Sequence, residues 1–109
     1  MPKSRIFFKV HGTIQGVGYR AFVKFAASRH FIRGMVRNVY DGSVEILAVG
    51  SAEDLASFEK DIEVYDKYGP QVFHVEKILE TDDGFPREIG DYANFVIEND
   101  REPVRGNTK

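Results

Sequence analysis

The spacing of apolar and polar residues predicts distinct strands and helices along the chain. Residues 5–11 alternate with a period of two, which is typical of a half-buried strand. Residues 19–32 carry apolar side chains at helical spacings and predict a first helix. Two β-branched runs within residues 34–50 then meet at Asp41 and Gly42, a pair that favours a tight hairpin. We therefore expect the second and third strands to be antiparallel neighbours.

A second helix is predicted after this hairpin. Ser51, followed by Asp54 three residues later, resembles the capping signal of a helix N-terminus. Gly69 and Pro70 form a helix-ending signal. Between these signals an apolar stripe repeats at helical spacing and predicts the buried face of the helix: Leu55, Phe58, Ile62 and Tyr65.

The last part of the chain contains two further strand patterns, and the second is shorter than the first. Residues 71–80 read as a fourth strand, and the alternation falters over 75–78, which is compatible with a β-bulge. Residues 94–98 contain a short apolar run that predicts a brief fifth strand. We expect one domain over residues 1–99 and a polar, frayed C-terminal tail over residues 100–109.

The order of these elements, β-α-β-β-α-β, is that of the α+β ferredoxin-like fold. This fold has an antiparallel sheet with two helices on one face. The 109 residues, of which 42% are hydrophobic and 29% charged, suit one compact domain. Since many functions use this fold, the fold alone does not assign one.

Composition lowers the expectation of several function classes. A net charge of −2 gives no electrostatic signature of nucleic-acid or anionic-membrane binding. The chain has no cysteine, which excludes disulfides, thiolate nucleophiles and thiolate metal sites. No apolar run is long enough for a secretion signal or a membrane span. We therefore expect a cytoplasmic protein.

Residues 12–20, GTIQGVGYR, form a glycine-rich loop between the first strand and the first helix. Such a connection points the unpaired N–H groups of a helix N-terminus at an anion. Glycine at 16 and 18 allows backbone conformations that other residues avoid, and Arg20 adds a fork that fits phosphate or carboxylate oxygens. The candidate anion cradle consists of Gln15, Gly16, Val17, Gly18, Tyr19 and Arg20.

The loop has three other interpretations. A plain turn with a solvated arginine is equally compatible with the loop taken alone. A nucleotide P-loop is excluded because the Gly-Lys-Ser/Thr ending is missing. Residues 16–21 match the form of a dinucleotide fingerprint, but the following hairpin is not the parallel strand that this site requires.

Asn38 is a second polar candidate, on the predicted second strand. The period of two places Asn38 on the same face as Val36. If that face is buried, the amide needs hydrogen-bond partners. A structural role in fixing the hairpin and a catalytic role both remain open for Asn38 on this ground.

The two stretches together resemble a known family. GTIQGVGYR at 12–20 and GMVRNVYDGSVE at 34–45 are similar to the two signatures of the acylphosphatases, in the same order, and the resemblance covers about residues 5–98. It implies hydrolysis of acyl phosphates to a carboxylate and inorganic phosphate, with no cofactor. It also implies that Arg20 and the amides of residues 15–20 bind phosphate, and that Asn38 positions the attacking water.

Hydrolysis of an acyl phosphate requires few catalytic groups, which agrees with a site made of Arg20, Asn38 and backbone amides. The leaving group is a carboxylate, a weak base that needs no proton from a general acid. Phosphoryl transfer requires mainly positioning and charge stabilisation. A metal is not expected, because no ligand spacing is found among His11, His30 and His74. We expect a monomer whose ligands are a small acyl phosphate and its product, inorganic phosphate.

One departure from the family pattern and two alternative functions remain. His30-Phe31 stands where relatives usually have Leu-Gly, so Phe31 must accept backbone strain or the helix must end differently. A non-catalytic anion-binding or protein-interaction module is one alternative, although the chain has none of the cysteine-rich fingers found in the larger carbamoyl-phosphate-processing proteins. An RNA-binding sheet that begins with Phe7, Lys9 and His11 is the other.

Overall fold

A computed structural model describes residues 3–87 and 89–103. It contains five strands and two helices in the predicted order. The elements are β1 (Ser4–Thr13), α1 (Tyr19–Arg29), β2 (Arg33–Asn38), β3 (Val44–Gly50), α2 (Ala52–Ile62), β4 (Gln71–Leu79) and β5 (Phe95–Ile97).

The strands form one sheet in the order β4-β1-β3-β2-β5. The first four strands pair antiparallel, whereas β5 pairs parallel with β2, with Val36 opposite Ile97. The predicted hairpin joins β2 to β3 and puts Asn38 opposite Val44. The ferredoxin-like prediction is confirmed, including the short fifth strand.

The main core lies between the sheet and the two helices. Alternate residues of the strands face the helices because successive side chains of a strand point to opposite faces. The predicted start of α2 is confirmed, since the hydroxyl of Ser51 accepts a hydrogen bond from the N–H of Asp54 at 3.1 Å. The largest fully buried side chains of this core include Phe8, Val10, Ile14, Tyr19, Val23, Ile46, Leu55, Phe58 and Ile62.

A second, smaller core covers the opposite face of the sheet. Residues 80–87 and 89–94 cover this face and bury Phe85 against Phe7, Met35, Leu47 and Val49. The guanidinium of Arg5 lies 5.1 Å from the centre of the Phe85 ring. Phe7 is therefore buried, and it does not begin the exposed aromatic surface that the RNA-binding alternative requires.

The double covering explains the faltering pattern in β4, where the bulge prediction was misplaced. Val75 pairs with Val10 and packs toward the helices, whereas Ile78 pairs with Phe7 and packs into the second core. Both faces take apolar residues there, so no bulge is needed. The register between β1 and β4 shifts at Gly12, leaving Phe73 as the extra residue of β4.

The second helix ends earlier than the predicted apolar stripe. It stops at Ile62, and Tyr65 lies largely exposed instead of in the core. The chain has already turned back toward β4, because Tyr65 bridges to Gln71 and the N–H of Asp66 bonds to the carbonyl of Pro70 at 2.8 Å. Local turn bonds around Asp66 therefore prevent a further helical turn.

The first helix also ends earlier than predicted, and its end is strained. Arg29 is its last residue, and Phe31 adopts a left-handed backbone with φ of 58° while its side chain is 77% exposed. The N–H of Ile32 bonds to the carbonyl of Ala27 at 2.9 Å, which is the pattern of a glycine-type helix ending. Phe25, one of the apolar residues of this helix, is also exposed.

Phe31→Gly should stabilise the fold. Left-handed backbone costs a residue with a Cβ roughly 1–2 kcal/mol, while glycine gives the unfolded chain more freedom, so we expect a net gain of about 0.5–1 kcal/mol in the free energy of unfolding. Urea unfolding measures this change in the free energy of unfolding. Phe31→Ala is the control, because it removes the ring but keeps the Cβ. Equal stability of the two variants would contradict a backbone origin.

Candidate active site

The glycine loop turns the chain from β1 into α1 through two left-handed residues. Gly16 has a φ of 78° and Gly18 a φ of 82°, and a Cβ on either would meet no other atom within 4 Å. Glycine is thus required here for backbone conformation and not for space. The sequence-based expectation that glycines at 16 and 18 adopt unusual backbone angles is confirmed.

The N-terminus of α1 has no negative charge from its own first turn. Gly18 is its N-cap, and among the described residues no side chain caps it and no acidic residue lies in its first turn. Arg20 adds a cation at this positive end of the helix dipole. The helix α2 of the same chain is the opposite case, since Ser51 caps it and Glu53 and Asp54 occupy its first turn. An anion would stabilise the start of α1.

A small cleft of about 230 Å³ adjoins this helix start. Gly16, Gly18 and Arg20 line it together with Ile97 of β5. The side chain of Val17 is partly exposed beside the loop. Tyr19 also borders the cleft, so four of the six residues predicted as an anion cradle line it.

Tyr19 contributes its backbone to the loop but not its side chain. The ring is buried in the main core, and its hydroxyl donates to the carbonyl of Ile62 at 2.8 Å. Burial, and to a smaller extent the carboxylate of Glu63, raises the pKa of Tyr19 above its ordinary range. The phenol stays neutral and links α1 to the end of α2.

The guanidinium of Arg20 contacts a residue of the predicted tail. Its Nη1 lies 3.3 Å from Oδ1 of Asp100, and both side chains are partly exposed. A single exposed contact of this type contributes about 0–1 kcal/mol. Because arginine has five N–H donors, a stronger anionic ligand can still bind this guanidinium.

Asn38 lies at the end of β2 and faces the helices, as the alternation predicted. The residue is 7% exposed, and its Oδ1 is buried with no hydrogen-bond partner among residues 3–87 and 89–103. A buried acceptor without a partner costs roughly 1–3 kcal/mol, so a position of this kind calls for a ligand or a functional reason.

The side chain of Gln15 ties the loop to the hairpin that follows Asn38. Its Nε2 donates to the carbonyls of Val39 at 2.8 Å and Ser43 at 2.9 Å. Ser43 is itself fixed, because its hydroxyl and N–H bond to Asp41 and lower the pKa of that carboxyl to about 2. The structure therefore brings the two predicted sequence stretches into direct contact.

Sequence reasoning missed three residues around this site. Asp100 contacts Arg20, the backbone N–H of Arg101 donates to the carbonyl of Asn38 at 2.8 Å, and Glu45 is a buried carboxylate on β3. Asp100 and Arg101 belong to the tail predicted to fray, whose residues 104–109 lie outside the described part of the chain. The charged residue inside the apolar run VEILAVG was the one available signal.

Over 3–87 and 89–103, no three His, Asp or Glu side chains cluster in a way that could hold a metal ion. Neither of the two helices in that part of the chain is long and apolar enough to cross a membrane.

Comparison with known proteins finds close relatives of this fold and sequence. The acylphosphatase from Pasteurella multocida is 38% identical over 86 residues, which cover 79% of this chain and 91% of that protein. The crystal structure of acylphosphatase from Bacillus subtilis matches with a TM-score of 0.72 and 30% identity, over 86% of this chain and 97% of that one. T. kodakarensis HypF matches with a TM-score of 0.72 and 27% identity, over 94% of this chain but 12% of its own length.

The sequence profile of the acylphosphatase family matches residues 6–97, which include the loop, Arg20 and Asn38. The match spans every strand and helix of the fold apart from the first two residues of β1. Together with the relatives of similar length, it shows that this chain belongs to the acylphosphatase family.

Proposed function

We propose that this acylphosphatase cleaves its substrate by direct attack of water on a phosphoryl group held at the start of α1. Arg20 and the backbone amides of residues 15–20 bind the phosphoryl oxygens, and Asn38 orients the water. The observation that carries this proposal is the Oδ1 of Asn38, which is buried with no partner among the described residues and lies beside the hairpin turn that Gln15 links to the loop.

An amide oxygen suits this role because it accepts a hydrogen bond without taking a proton at neutral pH. A water that donates one O–H to Oδ1 of Asn38 keeps its lone pairs available to attack phosphorus. The water oxygen forms the new P–O bond, and the carboxylate leaves with the electrons of the old one. The displaced proton passes to phosphate or solvent, so no side-chain base is required.

Arg20 and the loop amides supply charge stabilisation. Negative charge is spread over the equatorial oxygens of the phosphoryl group in the transition state. Preorganised donors at a helix N-terminus stabilise such charge without reorganising during the reaction. The uncapped start of α1, with Arg20 in its first turn, supports this assignment.

We also propose that the enzyme acts as a cytoplasmic, metal-independent monomer that binds no nucleic acid. A carboxylate leaving group needs no Lewis acid to depart. The lack of cysteine suits a reducing compartment, and the net charge of −2 does not favour nucleic acid.

Arg20→Ala should reduce kcat/KM on the order of a thousandfold, or about 4 kcal/mol, because it removes charge-assisted bonds to the transferring group. The assay is hydrolysis of an aryl acyl phosphate such as benzoyl phosphate, followed by ultraviolet absorbance with a chelator present. Arg29→Ala is the matched control, since it removes the same charge from the other end of α1. Activity retained in Arg20→Ala would refute the site.

Asn38→Ala should lower kcat by about a hundredfold or more while phosphate inhibition changes little, because the water is misplaced but the cradle is intact. Competitive inhibition by inorganic phosphate measures the cradle separately. Equal losses in kcat and phosphate affinity would show that Asn38 supports the cradle and does not orient water.

The alternative of a non-catalytic anion-binding module is tested by the same assay. Such a module would bind inorganic phosphate through Arg20 while the wild type hydrolysed benzoyl phosphate no faster than buffer does. Turnover above the spontaneous rate that continues in chelator excludes this alternative and supports metal independence.

A further inference from the structure

Glu45 is a buried carboxylate that the proposed mechanism does not use. It lies on β3, on the face of the sheet opposite the helices, and its side chain is 4% exposed. Both oxygens are bonded, Oε1 to Nε of Arg37 at 2.9 Å and Oε2 to Nη1 of Arg101 at 2.6 Å. A buried charge with this geometry is costly to leave unpaired, so it holds its partners firmly in place.

Arg101 is held at a second point by the backbone of β2. Its N–H donates to the carbonyl of Asn38 at 2.8 Å, and its carbonyl accepts from the N–H of Tyr40 at 3.0 Å. These bonds continue the parallel pairing of β5 with β2 past the end of both strands. The chain at Arg101 is therefore fastened directly to the residue that carries the proposed water-orienting amide.

The pairing between these two fixed points contains one extra residue. Val36 lies opposite Ile97, whereas Val39 lies opposite Arg101, so three steps along β2 match four steps along the other segment. An extra residue of this kind bends the strand and redirects a side chain. Asp100 belongs to this bulged segment, and its carboxylate contacts Arg20.

We propose that Arg101 is a positioning residue of the active site, anchored by Glu45. The anchor holds residues 98–101 across the end of β2, where the backbone fixes Asn38 and the bulge brings Asp100 to Arg20. The inference rests on the proposed roles of Arg20 and Asn38. It adds that the orientation of Asn38 depends on an ion pair located on the other face of the sheet.

The effect of losing Arg101 should fall on the chemical step. A displaced Asn38 misplaces the water, whereas the loop amides and Arg20 keep their own attachments through Gln15 and α1. Losing the contact with Asp100 changes phosphate affinity little, because that carboxylate both steadies Arg20 and repels phosphate. A purely structural role for Arg101 would instead lower stability without a selective loss of kcat.

Arg101→Ala is the test, with Arg37→Ala as its matched control. Both variants remove one arginine from Glu45, but only Arg101 belongs to the segment that holds Asn38 and Asp100. We expect kcat for benzoyl phosphate to fall roughly tenfold in Arg101→Ala, within the range of about a hundredfold that a small misplacement can cause. Phosphate inhibition should stay within about twofold of the wild type.

Thermal unfolding of the same variants separates positioning from stability. Arg37→Ala should lower the midpoint about as much as Arg101→Ala does and yet keep a kcat close to the wild type. Arg101→Lys should recover most of kcat, because an ammonium can still contact Oε2 of Glu45, whereas Arg101→Gln should not. If Arg101→Ala does not fold, the Lys and Gln pair gives the same comparison.

The results of these experiments distinguish the positioning role of Arg101 from the proposed mechanism on which it rests. Equal kcat values in Arg101→Ala and Arg37→Ala, or no recovery in Arg101→Lys, would overturn the positioning role. Undiminished kcat in Asn38→Ala would instead overturn the proposed role of Asn38, whatever the Arg101 variants show. A wild type without turnover would remove the proposed function itself.

Discussion

The left-handed turn through Gly16 and Gly18 is the constraint on which the site depends. With φ of 78° and 82°, these residues let the chain leave β1 and enter α1 within a few residues. The open space around both positions shows that a larger side chain would be excluded by backbone strain, on the order of 1–2 kcal/mol each, and not by contact. The direction of α1, the exposure of its first amides and the location of Arg20 all follow from this turn.

The sheet carries a core on each face, and the proposed site lies at the end of a strand that borders both cores. β2 presents Asn38 to the helices and Arg37 to the opposite face, because neighbouring residues of a strand point in opposite directions. The second face is closed by residues 80–87 and 89–94 over Phe85 and by the ion pair of Glu45 with Arg101. Asn38 therefore ends a strand that is packed on both of its faces, with Val36 in the main core and Met35 in the second.

The sequence predicted the elements well where one face of a strand or helix is buried and the other is solvated. α2 has this pattern from Leu55 to Ile62, and its capped start and its apolar stripe were predicted correctly over that range. The prediction failed where a loop covers the second face of the sheet, as it does over Phe7 and Ile78. The periodicity of a strand does not show whether a distant segment will bury its other face. The prediction also failed for Tyr65, because the hydrogen bonds of Asp66 override helix propensity.

Within the proposed site, the two motif stretches were enough to identify Arg20 and Asn38 as candidates. They did not identify the residues that hold these two side chains in place. The sequence placed Arg101 in a polar tail. Its ion pair with Glu45 could not be predicted, because the two residues lie 56 positions apart in the sequence. The side-chain role of Gln15 was hidden for the same reason, since its partners are carbonyls of a distant turn. Long-range polar contacts leave little periodic signal.

The N-termini of the two helices differ, and the comparison shows that the proposed site costs the fold little stability. Glycine in place of a capping serine costs a few tenths of a kcal/mol, and a cation at the positive end of a helix about 0.3–1 kcal/mol. Both apply to α1, whereas α2 has a serine cap and two acids in its first turn. Against this, charge-assisted bonds to a phosphoryl group contribute roughly 1.5–3 kcal/mol each. A single well-placed bond to the ligand therefore outweighs what α1 loses in its absence.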